Sequence, residues 1–315
     1  MMGTGKSVVV GVSMAAQSEA ALIDCQGSIL RRCPIKMLRG RTIGATLDPY
    51  LRAIEEMLAL ARAGHWRVQG IAISLPGSLD EDARRSLSVP MLPALNGFPL
   101  CALLETRYNL PVRLLVDVDA TLLGEYRFGA GKGRDARRLL FLTVNAVVGA
   151  ALAVDGELAR PIHSCVGHVS HLLVAASGPR CSCGKRGCIN SLVSLDAMQK
   201  MVQRALQRGE ETALARRLLD RAIGIPHIIA EEARRGDAVA TRIFGEVSRW
   251  LSAAMTQYIN LLEPDMIILG GETISAYDLL PSAIHATLQP TSAIATRVEI
   301  IPACLGRDAI LLGLA

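Results

Sequence analysis

Residues 181–188 read CSCGKRGC, with three cysteines and two glycines in eight positions. Cys181-x-Cys183-x4-Cys188 places three thiolates on a tight loop. Gly184 and Gly187 let the backbone curl so that the sulfurs converge. A disulfide is out of place in a chain that reads as cytosolic, and Cys181 and Cys183 lack the two-residue spacer of a redox pair. A tetrahedral zinc site of the Cys3His type suits the spacing best. Three histidines stand near enough to supply the fourth ligand: His163, His168 and His171.

Outward from this loop, the 315-residue chain is half hydrophobic and only 3% aromatic, so it carries a large aliphatic core. Charged residues make up 20%, which excludes a disordered chain. The net charge of +5 is spread over Arg pairs at 31–32, 137–138, 216–217 and 234–235. No basic block or interleaved aromatic turns these into a nucleic-acid stripe. The most apolar stretch, Leu139 to Val154, is interrupted by Thr143, Asn145 and Gly149. It reads as a buried hairpin, too short and too broken for a membrane span. The opening MMGTGKSVVVGVSM runs straight into a strand pattern, and no signal peptide is expected. The expected location is the cytoplasm. Cys25, Cys33, Cys101, Cys165 and Cys304 lie among apolar neighbours, and most of them read as reduced, buried thiols.

Periodicity predicts strands at 7–13, 19–24, from Ile29, and at 68–75, 111–116, 139–145, 148–154, 265–271 and 297–302. It predicts helices at 47–64, 98–108, 119–128, 195–208, 211–222, 226–235, 237–262 and 307–315. Two arrays of three strands and a helix, each tailed by helices, predict an α/β protein in two lobes. The smaller lobe is expected to span 1–117 with the closing helix 303–315, and the larger 118–302. A cleft between lobes is the default place for a ligand.

The stretch 167–190, GHVSHLLVAASGPRCSCGKRGCIN, resembles the signature of the ROK family of repressors, open reading frames and kinases. That signature runs G-E-x-G-H, a short spacer, then C-x-C-G-x-x-G-C-x-E. Further matches follow in order: the hairpin from Gly11 to Leu30, Pro76-Gly77, PVRLLVDVDATLLGE at 111–125, NLLEPDMIILGG at 260–271 and LGRDAILLG at 305–313. The resemblance implies an actin-like, ribonuclease H-like sugar-kinase fold with an inter-lobe cleft and a structural zinc loop. It implies His171, Cys181, Cys183 and Cys188 as the zinc ligands. His168 then takes the place of the family's first glutamate.

The same resemblance puts Asp117 on the family's catalytic aspartate, where a carboxylate would accept the proton of a sugar hydroxyl. Read without the family, Asp117 or Asp119 is an N-cap of the following helix. The implied sugar-binding set is Asp117, Asp119, His168, His171 and Asn190, with His168 and Asn190 standing where the family has glutamates. Gly149, Gly270 and Gly271 survive from the nucleotide loops. The rest of those loops has changed. The family's D-x-G-G-T corresponds to Ser13-Met14-Ala15-Ala16-Gln17, and its G-T-G-x-G to Asn145-Ala146-Val147-Val148-Gly149. Added methyl groups block close backbone approach to phosphate, and the Mg²⁺-organising acid is gone. The expected function is therefore a sugar-responsive binding or regulatory protein of pseudokinase type. The alternative is a glucokinase-like enzyme using ATP and Mg²⁺ on a hexose or amino sugar. Family repressors carry a winged-helix domain ahead of the first hairpin. Here a strand begins near residue 7, so direct DNA binding is not expected. The family implies a homodimer or homotetramer.

Overall fold

The computed structural model describes residues 6–15, 17–37, 42–80, 84–159, 166–217, 224–280 and 298–315. The side chains of 166–168 and 274–276 also lie outside the description, as do His163 and Cys165. The chain forms two compact units. One comprises 1–134, 156–166 and 304–315, and the other 135–155 and 167–303.

In the first unit, strands β1 (Ser7–Ser13), β2 (Glu19–Asp24) and β3 (Ile29–Pro34) form an antiparallel meander. Strands β4 (Arg67–Leu75) and β7 (Val112–Val116) add to it in parallel, giving the order β3-β2-β1-β4-β7. Both faces of the sheet are covered, so its central strands are apolar almost throughout. Helix α1 (Ile43–Ala63) packs on one face, where Val10, Val12, Ile71, Ile73 and Leu75 meet Tyr50, Ile54 and Met57. Helices α3 (Asp117–Phe128) and α9 (Asp308–Gly313) pack on the other, where Ala21, Ile23, Ala72 and Leu115 meet Leu123, Leu311 and Leu312. Helix α2 (Leu100–Tyr108) leads into β7.

The helices α3 and α9 touch backbone to backbone. A Cβ on Gly124 would sit 2.1 Å from the Ala309 carbonyl oxygen, and one on Gly313 would sit 1.7 Å from that of Ala120. Glu125 is fully buried beside this contact. Its carboxylate accepts from the backbone N–H of Ala130 (3.0 Å), Cys304 (3.0 Å) and Leu305 (2.8 Å).

In the second unit, β8 (Arg138–Val144) and β9 (Val148–Val154) form an antiparallel hairpin. A two-residue strand, β10 (Glu157–Leu158), follows the turn at Asp155 and Gly156. Strand β11 (Met266–Gly270) lies parallel to β8, and β12 (Glu299–Pro302) parallel to β11, so the sheet strands that belong to this unit run β9-β8-β11-β12. The helices α4 (Asn190–Val193), α5 (Leu195–Gln207), α6 (Leu214–Arg217), α7 (Ile225–Arg234) and α8 (Ala238–Leu262) belong to this unit. Among the described residues no helix is long and apolar enough to cross a membrane.

Three differences from the sequence reading have local causes. Helix α1 starts at Ile43, because the Thr42 side chain accepts from the Ala45 N–H and caps four residues that lack apolar periodicity. Strands β5 (Ser78–Asp80) and β6 (Arg85–Ser88) form a small hairpin too short and polar to read from periodicity. Helix α3 starts at Asp117 with Val116 as its N-cap, so neither Asp117 nor Asp119 caps it. The predicted helix at 211–222 is described only as α6, and 218–223 lie outside the description. Cys25 and Cys304 are exposed rather than buried, each at a turn beyond a strand end.

Candidate functional site

The cysteine loop folds on itself by backbone pairing. The Cys181 N–H donates to the Lys185 carbonyl (2.8 Å), and the Gly187 N–H to that of Pro179 (2.9 Å). The Val174 N–H donates to the Gly187 carbonyl (3.0 Å). Gly187 has φ +70°, and a Cβ there would fall 1.5 Å from the Ala175 carbonyl oxygen, so only glycine fits. This fold brings together His171, Cys181, Cys183 and Cys188, whose ligand atoms all lie within 4.8 Å of one another. Cys181 Sγ is 3.4 Å from His171 Nδ1, and Cys183 Sγ is 3.6 Å from Cys188 Sγ. A tetrahedral zinc ion would hold two sulfurs about 3.7 Å apart and a sulfur and a nitrogen about 3.5 Å apart. The four donors fit such an ion. The described cysteines are all free.

The three thiols influence one another. The backbone N–H of Lys185 and the neighbouring thiols hold Cys183 below the usual thiol range. Burial raises Cys181, but hydrogen bonds outweigh it and bring it below that range too. Burial and the two neighbours push Cys188 up to about 12.

Asp117 stands at the carboxyl end of β7 as the first residue of α3. It is half-buried, and its Oδ1 accepts from the Val118 N–H at 2.8 Å. Burial raises its carboxyl to about 6, although backbone hydrogen bonds pull the other way. Asp119 lies two residues further on, half-buried in the same first turn. His168 lies in a short 3-10 segment, Val166–His171, with its side chain outside the described residues.

The loops at the strand ends are closed by their own side chains. The Met14 N–H donates to the Ser74 carbonyl (2.9 Å), and the Met14 side chain is buried in the α1 core. Ser18 Oγ donates to the Ala15 carbonyl (2.7 Å) and lies 3.0 Å from the Tyr50 hydroxyl. In the second unit, Asn190 Oδ1 accepts from the Val148 N–H (2.9 Å). Asn145 Oδ1 accepts from the Glu272 N–H (2.9 Å), and Asn145 Nδ2 donates to Thr143 Oγ1 (3.1 Å). The Asn145 carbonyl accepts from the Leu195 N–H (3.1 Å). Gly271 turns beneath this cluster at φ +92°, where a Cβ would lie 2.4 Å from the Val144 carbonyl oxygen. Gly270 ends β11 against Phe141, and Gly149 pairs with Thr143 inside the β8–β9 hairpin.

A model of the ROK family matches residues 9–315. The chain belongs to the ROK family. It is 27% identical over 282 residues to a glucokinase of Thermotoga maritima, covering 87% of this chain and 85% of that one. A ROK family transcriptional regulator, described as a homologue of the E. coli MLC protein, superposes with a TM-score of 0.88 at 25% identity. The match covers 98% of this chain and 77% of the regulator. A ROK family glucokinase from Streptomyces griseus, in complex with glucose and AMPPNP, superposes with a TM-score of 0.77 at 27% identity, covering 98% of each chain. The chain spans 56–59% of the length of several curated repressors and regulators that it matches. Its mixed α/β sheets are those of ROK sugar-kinase structures.

The four residues that converge are those that match the histidine and the three cysteines of the ROK signature. Sequence reasoning passed over two side chains near the strand ends. One is Asn145, treated only as part of an altered loop, although an amide between two strands is a standing candidate for tying backbone. The other is Ser74, whose signal was a lone hydroxyl in the apolar run IAISL.

The carboxyl of Asp117 makes stability depend on pH. Its pKa is about 6 in the folded chain and near 3.8 when unfolded, so folding favours the protonated form. The stability from this group is fully present below about pH 4 and is lost as pH rises through about 6. At about 1.4 kcal/mol per unit, the loss reaches roughly 2–3 kcal/mol above pH 7. Asp117→Asn should remove this loss. Urea unfolding of both proteins at pH 4 and pH 7.5 should show the variant gaining on wild type by that amount at the higher pH. Equal pH dependence would show a carboxyl with an ordinary pKa.

Proposed function

We propose that this chain is a sugar-binding ROK protein that does not transfer phosphoryl groups, and acts as a sensing or regulatory protein. One observation carries the reading. The backbone N–H groups of Met14, Val148 and Glu272, in the three segments where ROK kinases have nucleotide loops, are already bonded within the chain. A phosphate cradle works by aiming free N–H groups at the anion, and these are spoken for. Ser13 supplies no carboxylate for Mg²⁺, and the exposed Glu272 carries negative charge beside the Gly270-Gly271 turn. The residues present do not fit ATP and Mg²⁺.

The sugar side keeps polar groups. Asp117, Asp119 and His171 are half-buried, and His168 and Asn190 complete the proposed set. The Asn190 carboxamide oxygen is engaged by Val148, which leaves its Nδ2 as the group for a ligand. The same reading takes a cytoplasmic homodimer or homotetramer as the working form. Gly270-Gly271 then serves as the turn after β11, and Gly149 as a ladder residue of the β8–β9 hairpin.

A second reading, a glucokinase-like enzyme, has one observation in its favour. A carboxyl at about 6 on the first turn of a helix is suited to accept a proton from a hydroxyl. In that enzyme Asp117 would be the base, and ATP with Mg²⁺ would supply the phosphoryl group.

His171, Cys181, Cys183 and Cys188 are proposed to hold a structural Zn²⁺ that ties the loop to the helical part of its unit. Cys183→Ser should lower bound zinc from one per chain to well below that, measured by metal analysis after dialysis, and should lower the melting temperature. Retention of one zinc per chain would refute the ligand set.

The two functional readings separate by thermal shift. The proposed function predicts no stabilisation by ATP–Mg²⁺ and a rise of several degrees with a cognate hexose, pentose or amino sugar at saturating concentration. Stabilisation by ATP–Mg²⁺ that the sugar then increases would establish the kinase reading in its place.

A further inference from the structure

Ser74 is fully buried, and its hydroxyl has no hydrogen-bond partner among the described residues. A buried hydroxyl left unsatisfied costs free energy, so its partner is to be sought in something that binds. Ser248 shares this condition, but it lies midway along α8 rather than at a strand end.

The position of Ser74 is informative. It is the second-last residue of β4, paired across the parallel ladder with Ser13 on one side and Leu115 on the other. Alternation along β4 sends Ile73 and Leu75 into the α1 core and Ala72 toward α3 and α9. Ser74 therefore faces the α3 side, as Ser13 does beside Val12. Leu75 pairs with Val116, and Asp117 follows directly as the first residue of α3. Strand spacing and rise put the Cα atoms of Ser74 and Asp117 within about 8 Å of each other. Both stand at the carboxyl edge of parallel strands, the edge at which α/β sheets receive ligands.

We propose that the Ser74 hydroxyl is a specificity-determining contact, hydrogen-bonding a hydroxyl of the polyol ligand whose neighbouring hydroxyl Asp117 accepts. The inference rests on the sugar-binding reading above. A serine hydroxyl both donates and accepts, so it pairs with a sugar hydroxyl of either polarity. A carboxylate beside it accepts only, and the two together select a pair of adjacent hydroxyls on one ring. The Ser74 carbonyl holds the Met14 N–H and so fixes the backbone from which the hydroxyl projects.

Ser74→Ala makes opposite predictions for the free and bound protein. Without ligand, removing an unsatisfied hydroxyl leaves the melting temperature unchanged or raises it. With ligand, one hydrogen bond is lost, and the dissociation constant rises roughly five- to tenfold. The probes are D-glucose, D-xylose and N-acetyl-D-glucosamine, titrated calorimetrically into the full chain, with Ser74→Thr as the variant that keeps the hydroxyl. Weaker binding in Ser74→Ala, at an unchanged or raised melting temperature, with affinity kept in Ser74→Thr, supports the contact. A lowered melting temperature with unchanged affinity would show that the hydroxyl holds a structural water, and overturns the inference alone. Failure of all three sugars to bind wild type overturns the sugar-binding reading and the inference with it.

Discussion

The buried carboxylate of Glu125 holds the first unit together. It accepts from three backbone N–H groups, two of them in the segment that leads into the last helix. Beside it, Gly124 and Gly313 let α3 and α9 meet at backbone distance, a contact that any side chain would prop open. A carboxyl group buried to this depth needs its acceptor sites filled. The consequence for function is orientation. Helix α3 is pinned at its carboxyl half, so its first turn, with Asp117 and Asp119, is presented at the edge of the sheet beside Ser13 and Ser74. Chain segments some 180 residues apart cooperate to aim one carboxylate.

The second unit has a comparable knot at Asn145. Its side chain takes the Glu272 N–H, and its own carbonyl takes the Leu195 N–H. One residue, through its side chain and its backbone carbonyl, thus joins the hairpin, the start of α5 and the turn after β11. Asn190 adds a second tie through Val148. Each of these bonds satisfies a backbone donor that would otherwise need water or a ligand. In the reading we propose, these same bonds leave the donors unavailable to a phosphate.

Much of the fold was legible because its strands are buried on both faces. Runs such as SVVVGVS and RLLFLTV can hardly be anything else, and β1, β2 and β9 fall at the predicted residues. The metal ligands were legible because cysteine spacing around two positive-φ glycines constrains geometry directly. What could not be read was pairing between distant side chains. Nothing in the sequence says that Asn145 reaches Glu272, or that Asn190 turns to Val148 rather than to a ligand. The start of α3 was misplaced because Asp117 and Asp119 are both good N-caps, whereas the structure lets Val116 take that place and turns Asp117 into the first helical residue. The small hairpin of β5 and β6 has no apolar face of its own to announce it.

The internal closure that we propose for the segments of Met14, Val148 and Glu272 is tested most directly by amide hydrogen exchange on the full chain. The N–H groups of Met14, Val148 and Glu272 should be protected without any ligand, with exchange well slower than in exposed loops. Their protection should not change when ATP–Mg²⁺ is added. Fast exchange at these three amides in the free protein, slowed by ATP–Mg²⁺, would contradict the account and show open loops waiting for phosphate.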